Sequence, residues 1–277
     1  MVNIFQLIIN FLKKFFLKNE EEVIVNTNDS DIITDIDNQE NNQQENNDEP
    51  KPEITDNKTK PTETNIDMDN YNGNIIILDN GHAKSTPGKC SPLFEDGTRF
   101  YEYEFSRDIV KRIANKLEEL GIKYYIIVPE VEEDIALSKR ANRANKICEQ
   151  FGANKCMLIS VHANAAGMGD KWMSARGWSV WTTKGITKSD AIATMFYEEA
   201  EKILPKYNMT LRKDTTDGDP DYESNFTIIY KALCPAILTE NLFQDNKTDA
   251  QFLMSDVGRN AIAEIHVNAI KRFCGLK

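Results

Sequence analysis

From residue 74 onward, short apolar runs alternate with stretches of helical spacing, and that alternation leaves few folds open. The runs at 75–78, 122–128 and 156–161 are too short for independent helices and lack the polar alternation of a half-exposed strand. Between them, residues 104–120 place Phe105, Ile109, Ile113 and Leu117 about one helical turn apart and stop at Gly121, while 136–151 read as a helix rich in Arg, Lys and Ala. Strands that are apolar on both faces need cover on both faces, which is the situation of a parallel sheet between helices. Residues 177–182 add an alternating strand, 189–204 another helix, 226–230 and 235–240 further apolar runs, and 255–273 a closing helix. The expected fold is an α/β three-layer sandwich over residues 74–277, with a mostly parallel twisted sheet and helices on both faces.

The rest of the chain has a different composition. Residues 20–73 carry 16 Asp/Glu against 3 Lys, are rich in Asn, Gln, Thr and Pro, and hold one aromatic, Tyr71. Such a segment buries too little apolar surface to offset its chain entropy and reads as a disordered acidic linker. It holds a charge of −13, so the net −11 of the whole chain leaves the folded part near neutrality, without the basic footprint that nucleic acid requires. In residues 1–19, the polar Asn3, Gln6, Asn10, Lys13, Lys14 and Lys18 gather into one helical stripe opposite Ile and Phe side chains. The apolar run is short for a membrane span and has no small-residue cleavage site, so an amphipathic helix touching a membrane surface through residues 1–18 is expected, with a signal anchor as the alternative. The five cysteines form no CxxC pair and are expected as free buried thiols. Cys90 is the one worth checking as a ligand.

Chemistry concentrates at strand ends. Two of the three histidines close apolar runs: His82 follows Leu78-Asp79-Asn80-Gly81, and His162 follows Ile159-Ser160-Val161. In open α/β sheets, ligands bind beyond the carboxyl ends of the strands. A catalytic zinc takes about three ligands from His, Asp or Glu and keeps one position open. The third ligand is sought near the start of a helix, where Glu102 and Glu104 are both available; Glu102 is favoured because it lies one turn before the core face of Phe105 and Ile109. Glu240, ending the run Ile237-Leu238-Thr239, is a carboxylate that burial would penalise unless it had a partner, and a base for an attacking water is a role it can fill. Gly81 is expected to let the chain turn sharply and aim His82. His266 reads as a helix-face residue outside the site, and Trp172 as a candidate groove wall. These residues by themselves reach a metal-assisted hydrolase.

The residues Asp79-Asn80-Gly81-His82, Glu102, Ser160-Val161-His162-Ala163-Asn164 and Pro235-Ala236-Ile237-Leu238-Thr239-Glu240 together resemble the zinc-dependent N-acetylmuramoyl-L-alanine amidases of the type-3 class, which include bacterial autolysins and phage endolysins. Asn80 departs from the commoner Pro, and Asn241-Leu242 from a pair ending in Gly. The resemblance implies a Zn²⁺ held by His82, Glu102 and His162, Glu240 as catalytic acid/base, and hydrolysis of the amide between N-acetylmuramic acid and L-alanine in peptidoglycan. It places the protein in the cell envelope or outside the cell, or in a host cytoplasm before release if it is a phage lysin. Asn164, Trp172, Arg176 and the stretch 217–223 are expected near glycan or peptide. The rival expectations are a zinc peptidase acting on stem peptides and an inactive peptidoglycan-binding module.

Overall fold

In a computed structural model of the chain, the structure describes residues 25–26, 72–167 and 170–276. The amphipathic segment 1–19 and nearly all of the acidic segment 20–73 lie outside the described residues. Among the described residues, seven strands form one sheet in the order β1-β3-β2-β4-β7-β5-β6. They are β1 (Val25–Asn26), β2 (Ile75–Asn80), β3 (Tyr124–Ile126), β4 (Cys156–Asn164), β5 (Ser179–Thr182), β6 (Tyr222–Glu223) and β7 (Ala236–Phe243). The four central strands β3, β2, β4 and β7 run parallel, as expected of their near-continuous apolar runs. β5 is antiparallel to β7, and β1 is antiparallel to β3.

Alternate residues of the central strands feed two separate cores. Ile76, Leu78, Met157, Ile159, Val161 and Ile237 pack against α1 (Glu102–Glu119), α3 (Lys188–Ile203) and α6 (Asp256–Phe273). Ile75, Ile77, Leu158, Ala236 and Leu238 face α2 (Leu137–Phe151) and α4 (Thr227–Tyr230). This is the expected three-layer sandwich.

The structure settles two local points that the sequence leaves open. The apolar run at 226–230 is a single helical turn: four to five apolar residues do not distinguish helix from strand, and Ile228 and Ile229 are buried side by side. An additional helix, α5 (Lys247–Met254), follows β7. Its signal was present in Asn246, whose side chain accepts hydrogen bonds from the amides of Thr248 and Asp249, but the helix is too short to show a hydrophobic period. α3 opens on a capping box in which Thr187 and Asp190 satisfy each other's backbone amides.

Candidate metal centre and active site

β2 and β4 pair in register through Asn80 and Val161, so Gly81-His82, which follow the end of β2, and His162, the next residue of β4, come to the same carboxyl end of the sheet. β4 and β7 pair through His162 and Glu240. Parallel pairing thus sets three chemically competent side chains side by side, although they are far apart in sequence. The fourth comes from α1, whose first residue is Glu102. Glu104 is exposed and accepts a hydrogen bond from the Tyr103 hydroxyl, so Glu102 is the acid that turns inward.

Glu102 is fully buried. Its Oε1 lies 3.1 Å from His162 Nδ1 and 3.6 Å from His82 Nε2, and accepts a hydrogen bond of 3.0 Å from the Ala163 amide. Burial works against charge on this carboxyl, yet the hydrogen bond to His162 and the fields of His82, His162 and Lys89 outweigh it and hold the group below the usual carboxylate range. The same contact raises His162 against the effect of its burial. His82, where burial dominates, is lowered to about 4 and is therefore a neutral imidazole with a free lone pair at neutral pH. Burial also pushes Glu240 up to about 7, with the nearby Glu102 adding to the shift and His162 opposing it.

Ligand-capable atoms of His82, Glu102 and His162 all lie within 4.8 Å of one another. Oε2 of Glu102 and Oε2 of Glu240 are buried without a hydrogen-bond partner. Orphaned carboxylate oxygens beside two imidazoles suit a cation, because such oxygens cost free energy unless one is supplied. These three residues can hold a metal ion, and among the described residues they form the one such group.

The backbone around His82 is built to keep it there. His82 has φ 56, a left-handed conformation uncommon outside glycine. Arg107 Nη1 donates to the His82 carbonyl at 2.8 Å, and the second amine of Arg107 donates to the Glu130 carbonyl. Ser106 Oγ donates to the Gly81 carbonyl at 2.8 Å. Ser106 and Arg107 belong to α1, so the helix that supplies Glu102 also holds the strand end that supplies His82. Gly81 itself is not in the left-handed region; it is His82 that makes the turn. Glycine is required there for space, since a Cβ would lie 2.6 Å from His162 Nδ1 and 2.7 Å from the Val161 carbonyl oxygen.

Below the site runs a buried polar network that pattern reading of the sequence missed. Asp79 is fully buried; Arg140 Nη1 reaches its Oδ1 at 3.2 Å and Ser160 Oγ donates to its Oδ2 at 2.6 Å. Arg140 also donates to the Asn80 carbonyl at 2.7 Å and to Asp134 at 2.7 Å. In a helix full of basic residues Arg140 passes for a solvated position. The available signal was the small Ala141 and Ala144 beside it, which let α2 approach the sheet closely. On the other side, Asn241 Nδ2 donates to the His162 carbonyl at 2.9 Å and Asn241 Oδ1 accepts from Trp178 Nε1 at 2.8 Å. Leu242 has φ 67, in the left-handed region that favours glycine, and is fully buried.

The peripheral candidates have partners of their own. Trp172 packs on Phe94 with ring centroids 4.7 Å apart, and Arg176 pairs with the buried Asp249 at 3.2 Å. Asn164 Oδ1 accepts from the Ala165 amide. In the 217–223 stretch, the Thr182 hydroxyl donates to buried Asp221, whose carboxyl burial pushes up to about 7. Cys90 accepts a contact from Arg99 at 3.3 Å and does not join the ligand group; Cys148, Cys156, Cys234 and Cys274 are free and buried. His266 is buried on α6, outside the ligand group.

Residues 76–272 match the family described as N-acetylmuramoyl-L-alanine amidase. Among curated proteins, the chain is 27% identical to the endolysin of Bacillus phage SPP1 over 207 residues, covering 73% of this chain and 67% of that one. It is 25% identical to the N-acetylmuramoyl-L-alanine amidase CwlM of Bacillus licheniformis over 199 residues, covering 71% and 67% respectively. The fold is similar to that of the N-acetylmuramoyl-L-alanine amidase from Clostridium difficile 630, with a TM-score of 0.58 at 22% identity over 73% of this chain and 97% of that one. Two histidines at the carboxyl ends of parallel strands, the glutamate that opens α1 and the buried carboxyl of Glu240 therefore have their place: the chain belongs to the N-acetylmuramoyl-L-alanine amidase family, and peptidoglycan amide hydrolysis is its activity.

Proposed function

We propose that this amidase is zinc-dependent, with His82, Glu102 and His162 as the metal ligands and Glu240 as the acid/base. The observation that supports it most is the convergence of the three ligands next to a glutamate whose Oε2 is buried and unpartnered. Two imidazole nitrogens and one carboxylate oxygen form a donor set that suits zinc. When bound, zinc would polarise the scissile carbonyl and acidify a water.

The chain's own residues do the rest. The Ala163 amide holds Glu102, whose Oε1 lies beside His162 Nδ1, and Arg107 with Ser106 holds the backbone at His82 and Gly81. Glu240, raised to about 7 by burial, can take the proton of the attacking water at neutral pH and return it to the departing amine nitrogen of L-alanine. The products are the lactyl carboxylate of N-acetylmuramic acid and a stem peptide with a free L-alanine amino terminus.

The test combines metal analysis of the purified full chain with mass spectrometry of digested peptidoglycan. Expected are bound zinc, loss of activity on chelation with recovery on zinc addition, and stem peptides that begin at L-alanine. A protein that cleaves without zinc would refute the metal assignment, and release of terminal amino acids would identify a peptidase instead. For residues 1–18 the proposed role is contact with a membrane surface; fractionation of cells expressing the full chain or a form lacking 1–19 tests it, and equal distribution would refute it. Among the described residues, no helix is long and apolar enough to cross a membrane.

A further inference from the structure

Lys89 is the charged residue at this site that the ligand scheme leaves without a task. It lies in the connection between β2 and α1, and its position is rigid. The Lys89 carbonyl accepts the Glu102 amide at 3.0 Å, Cys90 bridges antiparallel to Tyr101, and the Ser91 amide donates to the Phe100 carbonyl at 3.0 Å. Its side chain is 37% exposed, with Nζ 4.0 Å from Glu102 Oε2, and Glu102 is the one acid within that distance among the described residues. At 4.0 Å the ammonium makes no hydrogen bond to that oxygen. Its positive field is nevertheless felt at His82, Glu102 and Glu240 alike, so it acts on the whole group and not on Glu102 alone.

A lysine here is an electrostatic liability for metal binding. A dication on Glu102 would sit a few ångströms from a second positive charge, and like charges repel strongly where water is partly excluded. A counterion for Glu102 becomes redundant once a metal takes that role. The position makes sense if negative charge arises beside it during the reaction, because donors aimed at a developing oxyanion are among the largest contributors to hydrolytic catalysis.

We propose that Lys89 is a catalytic residue whose ammonium donates a hydrogen bond to the carbonyl oxygen of the scissile lactyl amide as that oxygen becomes negatively charged. As the water oxygen bonds to the carbonyl carbon, the C=O π pair moves onto the oxygen and meets the Lys89 N–H. When the pair returns, the C–N bond breaks and the nitrogen leaves as the amine, protonated through Glu240. Lys89 keeps its proton throughout. This inference rests on the reading of the site as the hydrolytic centre.

The experiment compares wild type, Lys89→Met, Lys89→Arg and Glu240→Gln as full-length zinc-loaded proteins, on a muropeptide with an intact lactyl–L-alanine amide. In Lys89→Met, kcat should fall about 10²- to 10³-fold, the typical loss for one oxyanion donor, with KM within about 3-fold of wild type. Lys89→Arg should recover part of the loss. Zinc affinity, read by chelator competition, should be tighter in Lys89→Met because a like charge beside the metal is removed, an effect that a merely structural role would not give. A kcat within about 3-fold of wild type would overturn the proposal, as would raised KM at constant kcat, which marks a carboxylate anchor. Zinc loss in step with activity would overturn it too. If Glu240→Gln keeps full activity, or wild type releases no L-alanine-terminated peptide, the reading of the site itself fails and Lys89's role with it. An active wild type, a dead Glu240→Gln and an unimpaired Lys89→Met would remove Lys89 alone.

Discussion

Replacing Gly81 with alanine tests the geometry of the metal site by adding a single methyl group. The new Cβ would stand 2.6 Å from His162 Nδ1, 2.7 Å from His162 Cε1 and 2.7 Å from the Val161 carbonyl oxygen, where ordinary contact begins near 3.4 Å. The backbone cannot simply withdraw, because the Gly81 amide donates to that same Val161 carbonyl at 2.9 Å and the Gly81 carbonyl is held by Ser106 Oγ at 2.8 Å. Turning the imidazole relieves two of the contacts and leaves the third, so β2 and β4 must also separate at their ends. Relief requires His162 to move by about 0.8 Å, more than the roughly 0.5 Å within which a functional constellation stays productive. Overpacking of this kind costs about 1–3 kcal/mol of stability. Displacing a ligand's support typically lowers metal affinity about 10- to 100-fold. The assay is zinc competition with a chromophoric chelator, alongside urea unfolding of the metal-free protein to separate the two effects. A Gly81→Ala protein with zinc affinity within about 2-fold of wild type would refute the clearance argument and leave Gly81 without a role in the site.

Glu240→Gln is expected to keep zinc and lose about 10²- to 10⁴-fold in turnover, measured by release of L-alanine-terminated peptides; loss of zinc would instead make Glu240 a ligand. Asp79→Ala should lower unfolding stability by about 3–5 kcal/mol in urea titration, because it strips the buried Arg140 of one of its two carboxylates. A cost below about 1 kcal/mol would mean that Asp134 alone satisfies Arg140. His266 supplies a pH prediction. Its Nδ1 lies 2.8 Å from the Ile262 carbonyl, which only accepts, so Nδ1 carries the proton and Nε2 accepts from the Thr239 hydroxyl at 3.0 Å. Burial lowers it from 6.5 to about 4, so between those values the unfolded chain binds the proton and the folded one does not. Its contribution to stability is therefore intact above pH 6.5 and falls with decreasing pH, reaching a loss of about 3 kcal/mol near pH 4. Urea midpoints of wild type minus those of His266→Gln should show this window, and parallel curves would refute it.

The α/β class and the two-sided sheet were legible in the sequence because burial on both faces demands continuous apolar strands, and the runs at 75–78, 156–161 and 237–238 have few polar interruptions. His82, His162 and Glu240 were legible for the same reason, since a polar side chain that ends such a run lies where parallel strands open to ligands. Glu102 over Glu104 followed from the helical period. Tertiary structure alone decided the rest. The register of β4 against β7 sets Glu240 beside His162, and no local pattern encodes the alignment of two strands some eighty residues apart. Glycine at position 81 is explained by a ring from a neighbouring strand, not by its own backbone. Arg140 and Lys89 look like ordinary solvated cations until the fold buries one against Asp79 and brings the other to 4.0 Å from Glu102. Apolar periodicity records which side of an element faces the core, while the partner of a buried or poised charge depends on how separate elements meet, and that is settled only by packing.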